Sequence, residues 1–143
     1  MTGLSVADLF AGSGALGAEA LSRGAKRLLA VDNRPEALRA IRANLASLEA
    51  EERAEVVKQD IEKGLAFLKR WAPLDLILAD PPYGRGLVER LLGQMPLEVL
   101  SPGGRLVVES SLKEQPEAAP PWSLVKQRRY GDTVITILTP EAS

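Results

Sequence analysis

The stretch Ser5-Val6-Ala7-Asp8-Leu9-Phe10-Ala11-Gly12-Ser13-Gly14-Ala15-Leu16-Gly17 decides the fold. Ser5 to Phe10 is mostly apolar and bounded by a turn, the pattern of a buried strand. Gly12-Ser13-Gly14 turns the chain. Ala15 to Ser22 then predicts a helix, with Gly24 just past its end. A strand running through a glycine-rich turn into a helix is the opening unit of a doubly wound α/β sheet.

The rest of the chain repeats that unit. Arg27 to Val31 predicts a second strand ending at Asp32. Pro35 and Glu36 suit the first turn of a helix whose apolar stripe is Leu38, Ile41, Leu45 and Leu48. A short strand over Glu55 to Lys58 ends at Asp60, and Ile61, Leu65 and Leu68 mark another helix. Leu74 to Ala79 predicts a strand that Pro81-Pro82 stops. Leu87, Val88, Leu91, Leu92 and Met95 outline the next helix, and Gly104 to Glu109 a fifth strand. Then the pattern changes. Ser123 to Arg129 and Thr133 to Leu138 predict two strands turning at Tyr130-Gly131-Asp132, with no helix between them. The expected fold is α/β: a doubly wound, mostly parallel sheet covered on both faces, with an antiparallel C-terminal hairpin at one edge. With no linker or repeat, residues 1–143 read as one domain.

Composition removes several chemistries. The 143 residues include no cysteine and no histidine, which excludes disulfides, thiolate nucleophiles, imidazole bases and zinc sites built on those ligands. No metal is expected. Catalysis must rest on carboxylates, hydroxyls, backbone groups or a reactive cofactor. The net charge of −1 announces no nucleic-acid partner. No leader pattern and no apolar run of ~18 residues is present, so a cytoplasmic address without membrane contact is expected.

Ligands of such sheets bind at the carboxyl ends of the strands. Four predicted strands end there in an acid or a glycine turn: Asp8 with Gly12 and Gly14, then Asp32, Asp60 and Asp80. Any one acid alone reads as a helix cap or a solvated turn residue. Gly12-x-Gly14-x-x-Gly17 with Asp32 behind it matches a dinucleotide fingerprint, and supports two cofactors. Asp8 separates them. A carboxylate under the turn opposes a pyrophosphate on the following helix N-terminus. It suits the ammonium and sulfonium of S-adenosylmethionine, which carries no phosphate, and so favours that cofactor over a nicotinamide.

Asp80-Pro81-Pro82-Tyr83 is the more specific motif. It can be read as a turn with a rim tyrosine. It can also be read as a rigid pair of acceptors, the Asp80 carboxylate and the Pro81 carbonyl, aimed at one amino group. Tyr83 would then stack on a base extruded from its helix. In-line positioning of the methyl donor needs neither histidine nor thiol.

These motifs resemble the class I methyltransferases and, more narrowly, the bacterial 16S ribosomal RNA guanine-N2 methyltransferases. The resemblance rests on Asp8 to Gly17, Glu19-Ala20-Leu21-Ser22-Arg23-Gly24-Ala25, Asn44-Leu45, Asp80 to Tyr83 and Tyr130-Gly131-Asp132-Thr133. It implies a seven-stranded Rossmann-like methyltransferase sheet, S-adenosylmethionine as donor, and a guanine of small-subunit ribosomal RNA, presented free or in the 30S subunit, as acceptor. Carried over by position, Asp8, Gly12 and Gly14 would contact the methionine part of the donor, with Phe10 and Ala11 also in the cofactor site. Asp32 would hold the ribose hydroxyls, with Asn33 beside the adenine and Asp60 and Ile61 bordering it. Asp80 would touch both donor and base, and Pro81, Pro82 and Tyr83 would complete the catalytic motif.

The family has Glu where this chain has Asp32. It also carries a basic segment ahead of the first strand, which here begins a few residues after Met1. Lys126, Arg128 and Arg129, with Arg85 and Lys113, are the cations expected near RNA. A DNA or tRNA adenine-N6 methyltransferase, and a non-catalytic donor-binding module, are the alternatives.

Overall fold

The computed structural model describes residues 2–12 and 14–141. Ser13, the middle of the predicted turn, lies outside the described residues, as does Met1. Strands β1 (Ser5–Asp8), β2 (Arg27–Asp32), β3 (Ala54–Lys58), β4 (Leu74–Ala79) and β5 (Leu100–Ser111) are joined in parallel ladders. Strand β7 (Thr133–Pro140) runs antiparallel between β5 and β6 (Trp122–Tyr130). The single seven-stranded sheet has the order β3-β2-β1-β4-β5-β7-β6. The expected C-terminal hairpin is present, with its second strand inward.

Successive residues of a strand point to opposite faces, and β1 shows this directly. Val6 joins a core with Leu21, Leu28, Leu38 and Ile41, built against helices α1 (Ala15–Ser22) and α2 (Pro35–Ser47). Ala7 and Leu9 join the opposite core with Leu68, Ile77, Leu91 and Leu106, built against helix α3 (Leu87–Gln94) and short 3₁₀ turns. Gly17 is the close-packing point of α1 on the sheet, since a Cβ there would sit 2.7 Å from Leu28 Cδ2. Strands β2 and β4 flank β1 on opposite sides, so their connections leave in opposite directions. The crevice between them opens at the carboxyl ends.

Three expectations change. The helix predicted over Ile61, Leu65 and Leu68 is two 3₁₀ turns, Ile61–Lys63 and Ala66–Trp71. Gly64, at φ 118°, ends the first after three residues, a conformation that no α-helix continues. Leu65 and Leu68 are buried all the same. Leu48 caps α2 beyond its last turn and is exposed, so the buried stripe ends at Leu45. Strand β5 starts at Leu100, four residues before the expected Gly104, with a register shift against β4 between Leu74 and Leu76.

Strand β6 forms one edge of the sheet. Trp122 is buried and its Nε1–H donates to the Leu92 carbonyl at 2.9 Å. Every later residue of β6 is exposed, and the register shifts between Leu124 and Lys126.

Candidate active site

A cavity of about 830 Å³ opens over the carboxyl ends of the strands, within the usual range for small-molecule sites. Phe10, Gly12, Asp32, Asn33, Asp60, Ile61 and Asp80 line it, as do Pro81, Pro82 and Tyr83. Asp8, Ala11 and Gly14 are not on its wall; they lie at the end of β1 and in the turn that follows. Gly14 caps α1 at φ 84°, a left-handed conformation that glycine adopts without strain.

Asp8 is almost wholly buried, and neither carboxyl oxygen has a hydrogen-bond partner. Burial pushes it up to about 7. The Phe10 N–H nearby offsets part of that rise, and the charges of Asp80 and Asp32 add to it. A buried polar group without a partner is costly. Asp80 and Asp32, whose charges reach it, both line the cavity.

Asp32 is the opposite case. The Gly12 N–H donates to its Oδ2 at 3.0 Å and the Arg34 N–H to its Oδ1 at 3.0 Å. The Arg34 guanidinium adds Nε to Oδ1 and Nη2 to Oδ2, each at 3.1 Å. Burial alone would raise Asp32, but Arg34 and the two backbone N–H groups outweigh it and hold the carboxyl below its ordinary range. A carboxylate offers about four lone-pair sites, and all four are taken. The two backbone bonds fix the carboxylate in place. Of the four groups bonded to Asp32, the exposed Arg34 side chain alone can swing away and free acceptor positions for a ligand. Asp32→Ala is therefore expected to weaken donor binding roughly 10–100-fold, by loss of charged hydrogen bonds. Arg34→Ala is expected to leave it unchanged or tighten it. Calorimetric titration of both variants checks the pair, and unchanged affinity in Asp32→Ala would remove Asp32 from the site.

Asp60 lines the wall, but its Oδ1 accepts the Glu62 N–H at 2.9 Å and caps the 3₁₀ turn. Asp80 follows β4 directly. Burial raises it, and a hydrogen bond with Glu109 partly offsets that rise. Beyond Tyr83, the Gly84 N–H donates to Glu114 Oε1 at 2.7 Å, tying the loop to the turn after β5. Arg85 lines the cavity and pairs with Glu62 Oε2 at 3.7 Å.

Sequence reasoning missed Arg34 and Glu109. Glu109 carried a usable signal, since it ends the predicted fifth strand as Asp80 follows the fourth.

The family described as Conserved hypothetical protein 95 matches residues 1–139. Ribosomal RNA small subunit methyltransferase D of Escherichia coli is 32% identical over 137 residues, covering 94% of this chain and 68% of the relative. The chain belongs to the methyltransferase D family. The member of the same name from Haemophilus influenzae is 34% identical over 130 residues, covering 87% of this chain and 65% of its own length. The chain thus spans about two thirds of these relatives. Among solved structures, yhhF of Escherichia coli superposes with a TM-score of 0.84 at 30% identity, over 99% of this chain and 80% of that one. A protein of the NADB-Rossmann superfamily from Streptococcus agalactiae shares the fold alone, with a TM-score of 0.78 at 15% identity. Family and fold together make this the Rossmann-like sheet of a methyltransferase. No helix among the described residues is long and apolar enough to cross a membrane.

Proposed function

We propose that this methyltransferase D family member uses S-adenosylmethionine to methylate the N2 amino group of a guanine in small-subunit ribosomal RNA. The observation that carries the reading is the pairing of an orphaned buried carboxyl, Asp8, at the end of β1 with Asp80-Pro81-Pro82-Tyr83 on the cavity wall. The names of the relatives support the RNA.

The donor supplies a methyl group on a sulfonium whose sulfur departs as a neutral thioether. The residues present fit it. Asp8 would face its ammonium, Gly12 leaves backbone open to close approach, and Asp32 would receive the ribose. A pyrophosphate in that place would meet the Asp8 carboxylate, which argues against a dinucleotide. Asp80 would hold the target –NH₂ with its lone pair toward the methyl carbon. As the new N–C bond forms, the nitrogen becomes positive and releases one proton, which the Asp80 carboxylate is placed to take. Tyr83 is 62% exposed at the mouth, available to a base that has left its helix.

The deciding experiment is transfer of labelled methyl to unmodified 30S subunits, free ribosomal RNA and DNA, followed by digestion to nucleosides. Label in N2-methylguanosine is expected. Label in N6-methyladenosine would move the acceptor, and no label despite measured donor binding would overturn the substrate class. Stacking on an aromatic ring is worth about 1–3 kcal/mol per base. Tyr83→Ala should therefore lose roughly 5–150-fold in transfer, while Tyr83→Phe keeps most of it. Equal rates in the two variants would remove stacking from the account.

A further inference from the structure

Glu109 stands beside Asp80 by strand register. Ala79 of β4 pairs with Val108 of β5, so the next residue of each chain segment is Asp80 and Glu109. Both line the cavity, and Glu109, raised by burial and by the Asp80 charge, holds the proton it donates to the Asp80 carboxylate. On its other side Glu109 is opposite Ile135 of β7, which offers no charge. No ion pair reaches either carboxyl among the described residues. Two neighbouring carboxyls without a cation cannot both ionise cheaply, so they share one proton, which leaves an acceptor oxygen on each.

The arrangement suits a ligand that brings two adjacent N–H donors. Guanine has them, since its ring N1–H lies next to its 2-amino group. Adenine places an acceptor nitrogen beside its amino group, and cytosine does the same. Of the amino-bearing bases, only guanine offers a ring N–H beside its amino group.

We propose that Glu109 touches the target base, accepting the N1–H of guanine while Asp80 accepts from the neighbouring 2-amino group. This rests on the amino-group methylation proposed above and assigns the residue that selects the base. A site built to bond an N–H strongly rejects an analogue lacking it, because its own polar group is then left unpaired.

The test uses a short hairpin copied from small-subunit ribosomal RNA around the guanine that the chain methylates. A second hairpin carries 2-aminopurine at that position, which keeps the 2-amino group but has an acceptor at N1. Transfer is measured for both. Binding is followed separately by 2-aminopurine fluorescence, with the guanine hairpin as competitor, so that one readout needs no turnover. The wild-type chain is expected to prefer guanine by roughly 10–100-fold, the scale of a lost bidentate base contact. In Glu109→Gln the side-chain amide can donate to the 2-aminopurine N1. That preference should disappear or reverse while donor affinity stays unchanged.

Equal treatment of the two bases by the wild-type chain, or a wild-type preference retained in Glu109→Gln, would overturn the assignment. If Glu109→Gln does not fold, the wild-type ratio alone decides. Methylation of guanine N2 without discrimination would leave the proposed function standing and remove Glu109 from it. Failure to methylate any guanine of the 30S subunit or of free ribosomal RNA would sink the proposed function, and this inference with it.

Discussion

Asp80→Ala is expected to lower methyl transfer by roughly 10²–10⁴-fold, the range for a lost proton-accepting group, with donor affinity close to wild type. The split follows from position. Asp80 lies on the cavity wall at the end of β4, whereas most groups assigned to the donor lie on or after β1, β2 and β3. Burial makes its carboxylate more basic than an exposed one, which strengthens its hold on an amino hydrogen. Single-turnover transfer with labelled donor, run beside calorimetric donor binding, measures both halves. Parallel loss of rate and affinity would contradict the role given to Asp80.

Asp8→Asn should move stability and binding in opposite directions. The folded chain holds Asp8 at about 7 against an ordinary value of 3.8. Below 3.8 both folded and unfolded chains carry the proton, and burial costs little. Between 3.8 and 7 the folded state keeps a proton that the unfolded state has lost, so stability falls as pH rises. Above 7 the full cost applies, roughly 4 kcal/mol.

Asparagine removes that charge but leaves an unbonded amide, itself worth a loss of about 1–3 kcal/mol. A net gain of roughly 1–3 kcal/mol is expected at pH 8, and little difference at pH 5. Donor affinity should fall about 10–100-fold for want of a charged acceptor. In the wild-type chain it should rise with pH through about 7. Thermal unfolding at the two pH values, with calorimetry beside it, checks each sign. A variant no more stable at pH 8 than at pH 5, relative to wild type, would mean that Asp8 is not the strained carboxyl described here.

The alternation of apolar runs and helical stripes was enough to give a mostly parallel sheet with an antiparallel hairpin, because a parallel crossover needs a long connection and the last pair lacks one. It was not enough between Asp60 and Leu74. The spacing of Ile61, Leu65 and Leu68 is helical, yet Gly64 breaks the backbone without disturbing which side chains are buried. Burial pattern and hydrogen-bond pattern part company there. The start of β5 was hidden for a similar reason, since Pro102-Gly103 reads as a terminator and the structure carries it as an irregularity inside the strand.

At the site, acids at strand ends were legible because topology alone brings those ends together. The Arg34 bond to Asp32 was not, because it depends on a side chain folding back over two residues. Glu109 needed the β4–β5 register, a property of pairing between strands that no single segment contains.

The outer rim of β6 has a consequence for how copies of this chain behave at high concentration. A long edge strand offers unpaired backbone groups to any passing strand, and proteins protect such edges with charge and with breaks in regularity. Here Lys126, Arg128 and Arg129 are exposed along the rim, and the register shift at Val125 spoils its even spacing. Two molecules brought rim to rim would oppose like charges and find their ladders out of step. The hairpin that completes the sheet thereby also terminates it, and holds the chain back from growing into fibres.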